Sequence, residues 1–468
     1  MSNHLEFGEP IRSLYPMKYF GTDGIRGKFG TSPIDGKFFR RLAKVVERFA
    51  IGKYDRKNIF ICVGRDTRKS GVALQKALIC GFSSAVKIFD CGILPTPAIA
   101  ETTRYVQADI GIVITASHNP ACDNGIKLFN AKGEKLTIAE EGELEQMLED
   151  TIDTVSQEPQ VIDFHSKAKQ NYCDQYKNFL PNEALSKMVI ALDSANGSTY
   201  EVARKIFEHF GAQVIQIGNH PNGENINDNC GTEHPETLAT LMKQTQTFLG
   251  IAHDGDGDRV IIFDETGEKI DGDVLLGIIT GHLLKTNGLP NKSMVTTVQS
   301  NLGLDKYLQS MGIDVIRCDV GDRNVYQAMV RNNCYFGGEN SGHLIFRKIS
   351  PIGDGITAAL FILDITRNNI RPSKLKTKVA LFPQKSFNIL VNAKTPLSDI
   401  QNLNEDIEKI DSKLPSPHRI LVRYSGTEPK LRVLVEAPDQ EVVNDAWRDL
   451  KQSIIERMTD NGISASIL

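Results

Sequence analysis

The chain alternates short, β-rich apolar runs with stretches of helical period, and it does so three times on one plan. Residues 59–92 open with the run IFICV, cross the polar loop GRDTRKSG into a helical stretch, VALQKALICGFSSAV, and return to a second run, KIFD, before Cys91-Gly92. Residues 188–218 repeat the order as MVIAL, DSANGS, TYEVARKIFEHF and AQVIQIG, and residues 294–321 as MVTTV, QSNLG, LDKYLQSM and IDVIRCDVG. Such alternation predicts βαβ units. Three of them predict three related α/β domains in tandem, with mixed, mainly parallel sheets.

Toward the C-terminus the pattern changes. Strands are predicted at Ser386–Val391, His418–Tyr424 and Leu431–Ala437, with helical stretches near 398–410 and 440–458, an order that suits a smaller α+β domain. Arg367–Lys378, with Pro372 and many charges, reads as a linker. An acidic helix around 138–153 is expected to close the first domain and turn its charge to solvent. The resulting division is 17–162, 163–264, 265–372 and 380–468. A length of 468 residues agrees with three or four domains of about 150 residues each.

Composition narrows the classes. Hydrophobic residues at 40% and charged residues at 24% argue against wholesale disorder. The net charge of −4 gives no general attraction to a polyanion, so no nucleic-acid partner is expected and any phosphate must meet local Arg and Lys clusters. The eight cysteines contain no C-x-x-C pair, which removes zinc and thioredoxin-like spacing, and Cys62 in its apolar run reads as a buried thiol. No apolar signal core and no uncharged run of about 18 residues is present, so no membrane role is expected and the cytoplasm is the default compartment.

Four loops carry candidate chemistry. Asp254-Gly255-Asp256-Gly257-Asp258-Arg259 sits between FLGIA and VIIF. Carboxylates at every second position of an extended loop can point to one side, and the glycines let the backbone curl around an ion. Hard oxygen donors without His or Cys favour Mg²⁺ or Ca²⁺ over zinc. A calcium EF-hand competes, since Glu265 falls at its last ligand position, but Arg259 stands where that loop needs Gly and the flanks read as strands. Three carboxylates leave coordination positions open for a phosphate oxygen.

Thr115-Ala116-Ser117-His118-Asn119-Pro120 follows the strand-like DIGIVI, at the strand end where active-site loops of α/β sheets sit. Ser117 is a candidate nucleophile or phosphate carrier, without the G-x-S-x-G elbow of hydrolases; the segment also reads as a plain hydrogen-bonded turn. Gly337–His343 alternates glycines with polar residues, so Glu339 and Ser341 can accept from hydroxyl groups, as a sugar site needs; a hairpin turn is the other reading. Arg423–Arg432 offers backbone N–H groups, two hydroxyls and flanking arginines as a phosphate cradle, or else a basic surface hairpin. Gly21–Gly27 is a flexible loop carrying Arg26.

Together, in this order and from Lys18 to about Ala437, these loops resemble the α-D-phosphohexomutase superfamily. The resemblance implies an α/β fold of three tandem related domains plus a smaller C-terminal α+β domain like the TATA-binding-protein fold, with all four loops around a central cleft. It implies that Ser117 carries the transferable phosphoryl group, and that Asp254, Asp256 and Asp258 bind Mg²⁺ with the phosphoserine oxygen. Lys127 resembles a lysine near the reacting oxygens, and Arg26, Arg259 and His343 resemble residues lining the transfer site. Glu339 and Ser341 resemble the sugar contacts; Arg423, Ser425, Gly426, Thr427 and Arg432 resemble the grip on the phosphate that is not transferred. Either Lys127 or His343 would serve as general base, the lysine only if neighbouring cations lower its pKa.

Within the superfamily, Gly21–Gly27, Val320-Gly321-Asp322-Arg323, Pro383-Gln384 and Ser425–Pro429 are similar to the bacterial phosphoglucosamine mutases, which adds Asp322 and Arg323 to the implied substrate contacts. Two positions depart: the sugar loop reads Glu-Asn-Ser where Glu-Gln-Ser is commoner, and Gly257 stands where Ala is commoner. The first touches substrate choice; the second is expected to be mild. The implied reaction interconverts glucosamine 6-phosphate and glucosamine 1-phosphate through a hexosamine 1,6-bisphosphate that serves as intermediate and activator. It would feed UDP-N-acetylglucosamine and cell-wall precursor synthesis, by a monomer or homodimer whose partner is a small sugar phosphate. Glucose or mannose phosphates are the alternative substrates; a sugar-phosphate phosphatase and a non-catalytic sensor are the readings from other classes.

Overall fold

The computed structural model describes residues 4–8, 17–154, 158–368, 370–425 and 429–467. They form two compact units, one of residues 17–299 and 313–378, the other of residues 4–8, 300–312 and 379–467.

The strand Ile110–Ile114 is buried at every position, which requires partners on both edges and cover on both faces. It lies parallel to Ile59–Arg65 and antiparallel to Asp123–Asn130. The full sheet runs in the order Ile25–Lys28, Asp123–Asn130, Ile110–Ile114, Ile59–Arg65, Val86–Ile93, Gln160–Asp163. Helix Gly36–Tyr54 contributes to the core because Phe38, Leu42, Val45 and Phe49 recur on one face at helical spacing. Asp35 caps it by accepting from the Phe38 N–H at 2.8 Å.

The three βαβ plans read from the sequence are observed as Ile59–Arg65, Lys69–Gly81, Val86–Ile93; Val189–Asp193, Val202–His209, Gln213–Ile217; and Ser293–Thr297, Leu302–Gln309, Asp314–Cys318. Each unit's first strand has the same two further neighbours in its sheet. A parallel strand lies beside it (Ile110–Ile114, Leu249–His253 or Phe336–Gly338), followed by an antiparallel return strand (Asp123–Asn130, Val260–Phe263 or Leu344–Phe346). The Ser117 loop, the Asp254–Asp258 loop and the Glu339–His343 loop are therefore the same connection in three sheets. The repeat extends further than the βαβ signal alone.

The other unit is built on a sheet ordered His4–Gly8, Arg419–Tyr424, Lys430–Glu436, Gln384–Val391, Ala465–Ile467. Helices Leu403–Asp411 and Gln440–Asp460 cover it through Leu403, Ile407, Val443, Leu450 and Ile454. The third crossover helix, Leu302–Gln309, belongs to this unit. Asn301 exchanges bonds with the Phe382 backbone at 2.8 and 3.0 Å, and the Leu302 N–H donates to Glu436 at 2.6 Å.

Two expectations are corrected. The acidic helix, Ile138–Glu149, does not turn all its charge to solvent: Glu145 is buried and accepts from the N–H groups of Lys18, Tyr19 and Phe20 at 2.7 Å each, while buried Glu141 pairs with Arg323. Orphan backbone donors ahead of the strand Ile25–Lys28 need an acceptor, and a helix side chain supplies it. The proposed linker is tied down as well. Ser373–Lys376 makes one helical turn, Leu375 is buried, Ser373 donates to Glu265 and Lys376 to Asp264 and Glu268. No helix among the described residues is long and apolar enough to cross a membrane.

Helix Gly355–Thr366 is buried almost all round, and its N-terminus lies inside the protein, so the cap must come from protein groups. Asp354 accepts from the N–H of Ile356 and Thr357 at 3.0 and 3.1 Å, and Tyr172 and Tyr176 of helix His165–Asp174 and its extension donate their hydroxyls to the same carboxylate. Asp354→Ala is expected to destabilise this unit by about 2–4 kcal/mol, because it removes a cap and strands two buried hydroxyls. Tyr172→Phe, which leaves the cap in place, should cost about 1 kcal/mol. Thermal unfolding of the two variants beside the parent checks both the size and the order.

Candidate active site

Ser117 stands one turn beyond the Ile110–Ile114 strand, fully buried and in the left-handed region at φ 52°. Its N–H donates to Thr115 Oγ1 at 2.9 Å, and that hydroxyl donates to Asp66 Oδ2 at 2.7 Å, so the turn is fixed from the neighbouring strand's end. Its own hydroxyl donates to Asp254 Oδ2 at 2.7 Å. His118 Nδ1 lies 3.4 Å from the same hydroxyl; burial and the nearby Arg259 and Arg26 push that imidazole down to about 4. The seryl group and the acidic loop, 137 residues apart in sequence, are thus in direct contact.

Asp254, Asp256 and Asp258 are all buried, with candidate ligand oxygens within 4.8 Å of one another. The loop closes because Gly257 adopts φ 75°, where a Cβ would come within 2.4 Å of Thr199 Cγ2. Alanine, commoner at this position in the family, is therefore not accommodated at Gly257 without a shift of Thr199. Asp254 Oδ1 accepts from the N–H of Gly257 and Arg259 at 3.1 and 3.2 Å. Thr96 donates to Asp256 Oδ2 at 2.6 Å. Burial, with Asp256 and Asp258 alongside, holds the Asp254 carboxyl well above the usual range. Buried Asp256 Oδ1 and Asp258 Oδ1 have no hydrogen-bond partner. Orphaned carboxylate oxygens converging from one loop are a donor set that fits a hard divalent cation.

A ring of opposite charges surrounds the triplet. Lys127 Nζ donates to Asp256 Oδ2 and Asp258 Oδ2 at 2.8 and 2.7 Å and lies 3.2 Å from Asp23. Burial alone would lower its pKa, but Asp23, Asp256 and Asp258 outweigh burial and raise it well above the ordinary lysine value. This reverses the condition under which the lysine could act as base, since its nearest neighbours are carboxylates rather than cations. Lys135 bonds both Asp23 and Asp322, and Arg26 pairs with Asp23. His343 lies between Asp258 and Asp322, at 3.6 and 3.4 Å, and its Nε2 accepts the Gly353 N–H at 3.1 Å, which leaves the ring proton on Nδ1, facing Asp258. Burial acts to lower the Arg259 pKa, and Asp258 and Asp254 more than offset it.

The remaining expected contacts divide. Glu339 accepts from the Gly321 N–H at 2.9 Å, at the start of the helix that bears Asp322 and Arg323. Arg323 is engaged with Glu141, and Ser341 is exposed at the tip of its hairpin. In the other unit, Arg423 and Arg432 sit opposite each other across paired strands, and Arg432 donates to Ser425 Oγ at 3.4 Å. Gly426 and Thr427 lie outside the described residues.

Three residues of the cluster escaped the sequence reading. Asp23 was visible inside the Gly21–Gly27 loop but carried no role of its own. Thr96, between two prolines, marked only a helix start, and Lys135 sits in a polar turn without any local signal.

Comparison with known proteins matches four successive segments of the chain. Residues 17–154, 170–267 and 271–383 match "Phosphoglucomutase/phosphomannomutase, alpha/beta/alpha" domains I, II and III, and residues 387–450 match the C-terminal domain of that group. The chain is 41% identical over 445 residues to the phosphoglucosamine mutase of Aliarcobacter butzleri, covering 93% of this chain and 98% of the relative. It is 39% identical over 455 residues to that of Leuconostoc mesenteroides, covering 95% and 99%. Among solved structures, a phosphoglucomutase/phosphomannomutase family protein from Burkholderia thailandensis aligns with TM-score 0.77 at 20% identity, over 93% of this chain and 97% of that one. An Aspergillus fumigatus N-acetylphosphoglucosamine mutase, solved with GlcNAc-6P and magnesium, aligns with TM-score 0.63 at 16% identity, over 94% and 96%. Four domain matches in unbroken order, and identity near two-fifths along almost the whole of both chains, mean that this chain belongs to the phosphoglucosamine mutase family.

Proposed function

We propose that the chain interconverts glucosamine 6-phosphate and glucosamine 1-phosphate with Ser117 as phosphoryl carrier. The observation that carries this reading is the 2.7 Å approach of the Ser117 hydroxyl to Asp254, at the edge of a buried three-carboxylate cluster. Near-full-length similarity to phosphoglucosamine mutases supports the choice of substrate.

In this reading the phosphorylated serine passes its group to the 6-hydroxyl of glucosamine 1-phosphate or the 1-hydroxyl of glucosamine 6-phosphate. The bond from phosphorus to Ser117 Oγ breaks as the bond to the sugar oxygen forms, and the hydroxyl proton leaves to a base. The 1,6-bisphosphate then turns over and returns its other phosphoryl group to Ser117. Transfer of this kind depends on alignment and on neutralising the equatorial oxygens. Mg²⁺ held by Asp254, Asp256 and Asp258 with the phosphoserine oxygen would supply part of that neutralisation. Arg259, Arg26 and Lys127 supply the rest as fixed cations; Lys127, bonded by Asp256 and Asp258, and His343, whose Nε2 accepts the Gly353 N–H, are the two candidates for the proton.

Glu339, Ser341, Asp322 and Arg323 are assigned to the sugar, and Arg423, Ser425, Gly426, Thr427 and Arg432 to the outer phosphate. Engagement of the last two of the sugar set then requires Lys135 and Glu141 to yield part of their bonds. We further propose four domains, at 17–162, 163–264, 265–372 and 380–468, in a cytoplasmic monomer or homodimer with a hexosamine 1,6-bisphosphate activator and no nucleic-acid partner. Glucose or mannose phosphate is the second substrate reading, since Asn340, between Glu339 and Ser341, stands where Gln is commoner.

A coupled assay with glucosamine, glucose and mannose phosphates side by side, with Mg²⁺ and a trace of bisphosphate, should give the highest kcat/KM for glucosamine phosphate. Equal or better turnover of glucose phosphate moves the assignment to the second reading. Ser117→Ala should abolish isomerisation, and normal turnover by that variant refutes the carrier. Asp256→Ala should lower kcat by about a hundredfold or more, as expected for losing a main source of charge stabilisation. Chelation should remove activity and added Mg²⁺ restore it; activity indifferent to chelator removes the metal from the reading.

A further inference from the structure

Ser117 is held by its backbone as well as by its side chain. A non-glycine residue at φ 52° is uncommon and needs neighbours to keep it there. Two fully or nearly fully buried side chains meet its carbonyl. Arg68 is 0% exposed, and its Nε is bonded to Asp66 Oδ2 at 2.9 Å. Its Nη2 donates to Ser117 O at 3.0 Å and to Asn119 O at 2.7 Å, and its Nη1 donates to Asp123 O at 3.0 Å and to Pro120 O. One guanidinium thus collects four carbonyls of the serine loop between Ser117 and Asp123, a task that matches its fan of planar donors and no other side chain.

Asn227 approaches from the second sheet's side. It is 6% exposed, and its Nδ2 donates to the same two carbonyls, Ser117 O and Asn119 O, at 2.9 Å each. Since both partners can only accept, the amide orientation is fixed. Asn227 is itself fastened: its N–H donates to Ala195 O at 2.9 Å, and the Ala195 N–H donates to Asp193 Oδ1 at 2.8 Å, at the end of Val189–Asp193. That strand lies beside Leu249–His253, which leads into the acidic loop. A Cβ on Gly255 would come within 2.7 Å of Ser117 O and 2.9 Å of Asn227 Nδ2, so the acidic loop's backbone seats against the same pair.

We propose that Asn227, acting with Arg68, is a positioning residue that sets the reach between the Ser117 oxygen and the Asp254–Asp258 triplet. Arg68 shapes the loop from within the first sheet. Asn227 ties that loop to the sheet bearing the acidic triplet, and neither side chain touches the reacting oxygen. This rests on the reading of Ser117 as phosphoryl carrier. A misplacement of about 1 Å in such a site lowers turnover by up to about a hundredfold without a matching loss of substrate binding.

The test uses the full chain carrying Asn227→Asp, which keeps the shape but sets carboxylate oxygens against two carbonyls, and Asn227→Ala, which removes the donors without repulsion. Each protein is phosphorylated with glucose 1,6-bisphosphate, the phosphate is located by peptide mass, and its transfer to glucosamine 6-phosphate is followed in a single turnover. We expect phosphate on Ser117 in the parent. In both variants transfer and kcat should fall about 10- to 100-fold, with KM changed by less than about threefold and the thermal midpoint by only a few degrees. The aspartate should be the worse of the two. Parent-like transfer in a folded variant overturns the clamp while leaving the carrier intact. A loss of activity no larger than the loss of folded protein overturns it too, by reducing Asn227 to a structural role. Absence of phosphate from Ser117 in the parent overturns the carrier, and the clamp with it.

Discussion

Three carboxylates packed within 4.8 Å of one another and shut away from water repel each other by several kcal/mol at short range, and the protein has to answer that repulsion. It does so with alternating shells. Lys127, Arg259 and the Nδ1–H of His343 stand against the triplet, and Asp23 and Asp322 stand behind these groups, with Lys135 between them. No single sheet contributes both signs in sufficient number. Asp23, Lys127 and Lys135 come from the first sheet and the turns beside it, the triplet and Arg259 from the second, and Asp322 and His343 from around the third. Charge balance at the centre and the meeting of three sheets are one requirement.

The fold meets it by repetition. In each of the three sheets the loop that matters leaves the end of a strand lying next to the first strand of the βαβ unit and returns on an antiparallel neighbour. Strand ends in such sheets present unpaired backbone groups and tolerate loops of any chemistry, so one architecture can bear a seryl loop, an acidic loop and a sugar-facing loop. The chemical differences between the loops lie in a few side chains; the geometry that delivers them is common.

Much of this was legible in the sequence because its signals are local. Alternation of apolar runs with helical stretches located the βαβ units, and the spacing of Asp254, Asp256 and Asp258 announced a convergent oxygen set. What was not legible is what depends on contacts between distant segments. Glu141 and Glu145 looked like solvent charges, since nothing near them in sequence reveals Arg323 or the N–H groups of Lys18 to Phe20. Whether cations or carboxylates surround Lys127 was open in the sequence, because its three carboxylates come from other loops. The need for glycine at position 257 was hidden, because sequence does not record a positive φ or the methyl of Thr199 beside it. Asn227 sat in a stretch rich in Asn and Gly that signals a loop and nothing more.

Chain path has a further meaning. The polypeptide enters the unit built on Arg419–Tyr424 three separate times, as the edge strand His4–Gly8, as helix Leu302–Gln309, and from Val379 onward. Severing the chain between Lys378 and Val379 would not release a self-sufficient piece. The Asn301 amide would lose the Phe382 backbone, Glu436 would lose the Leu302 N–H, and the Arg419–Tyr424 strand would gain a bare edge. A sheet threaded in this way borrows an edge strand and a helix from distant parts of its own polypeptide, however separate it looks when drawn as a domain.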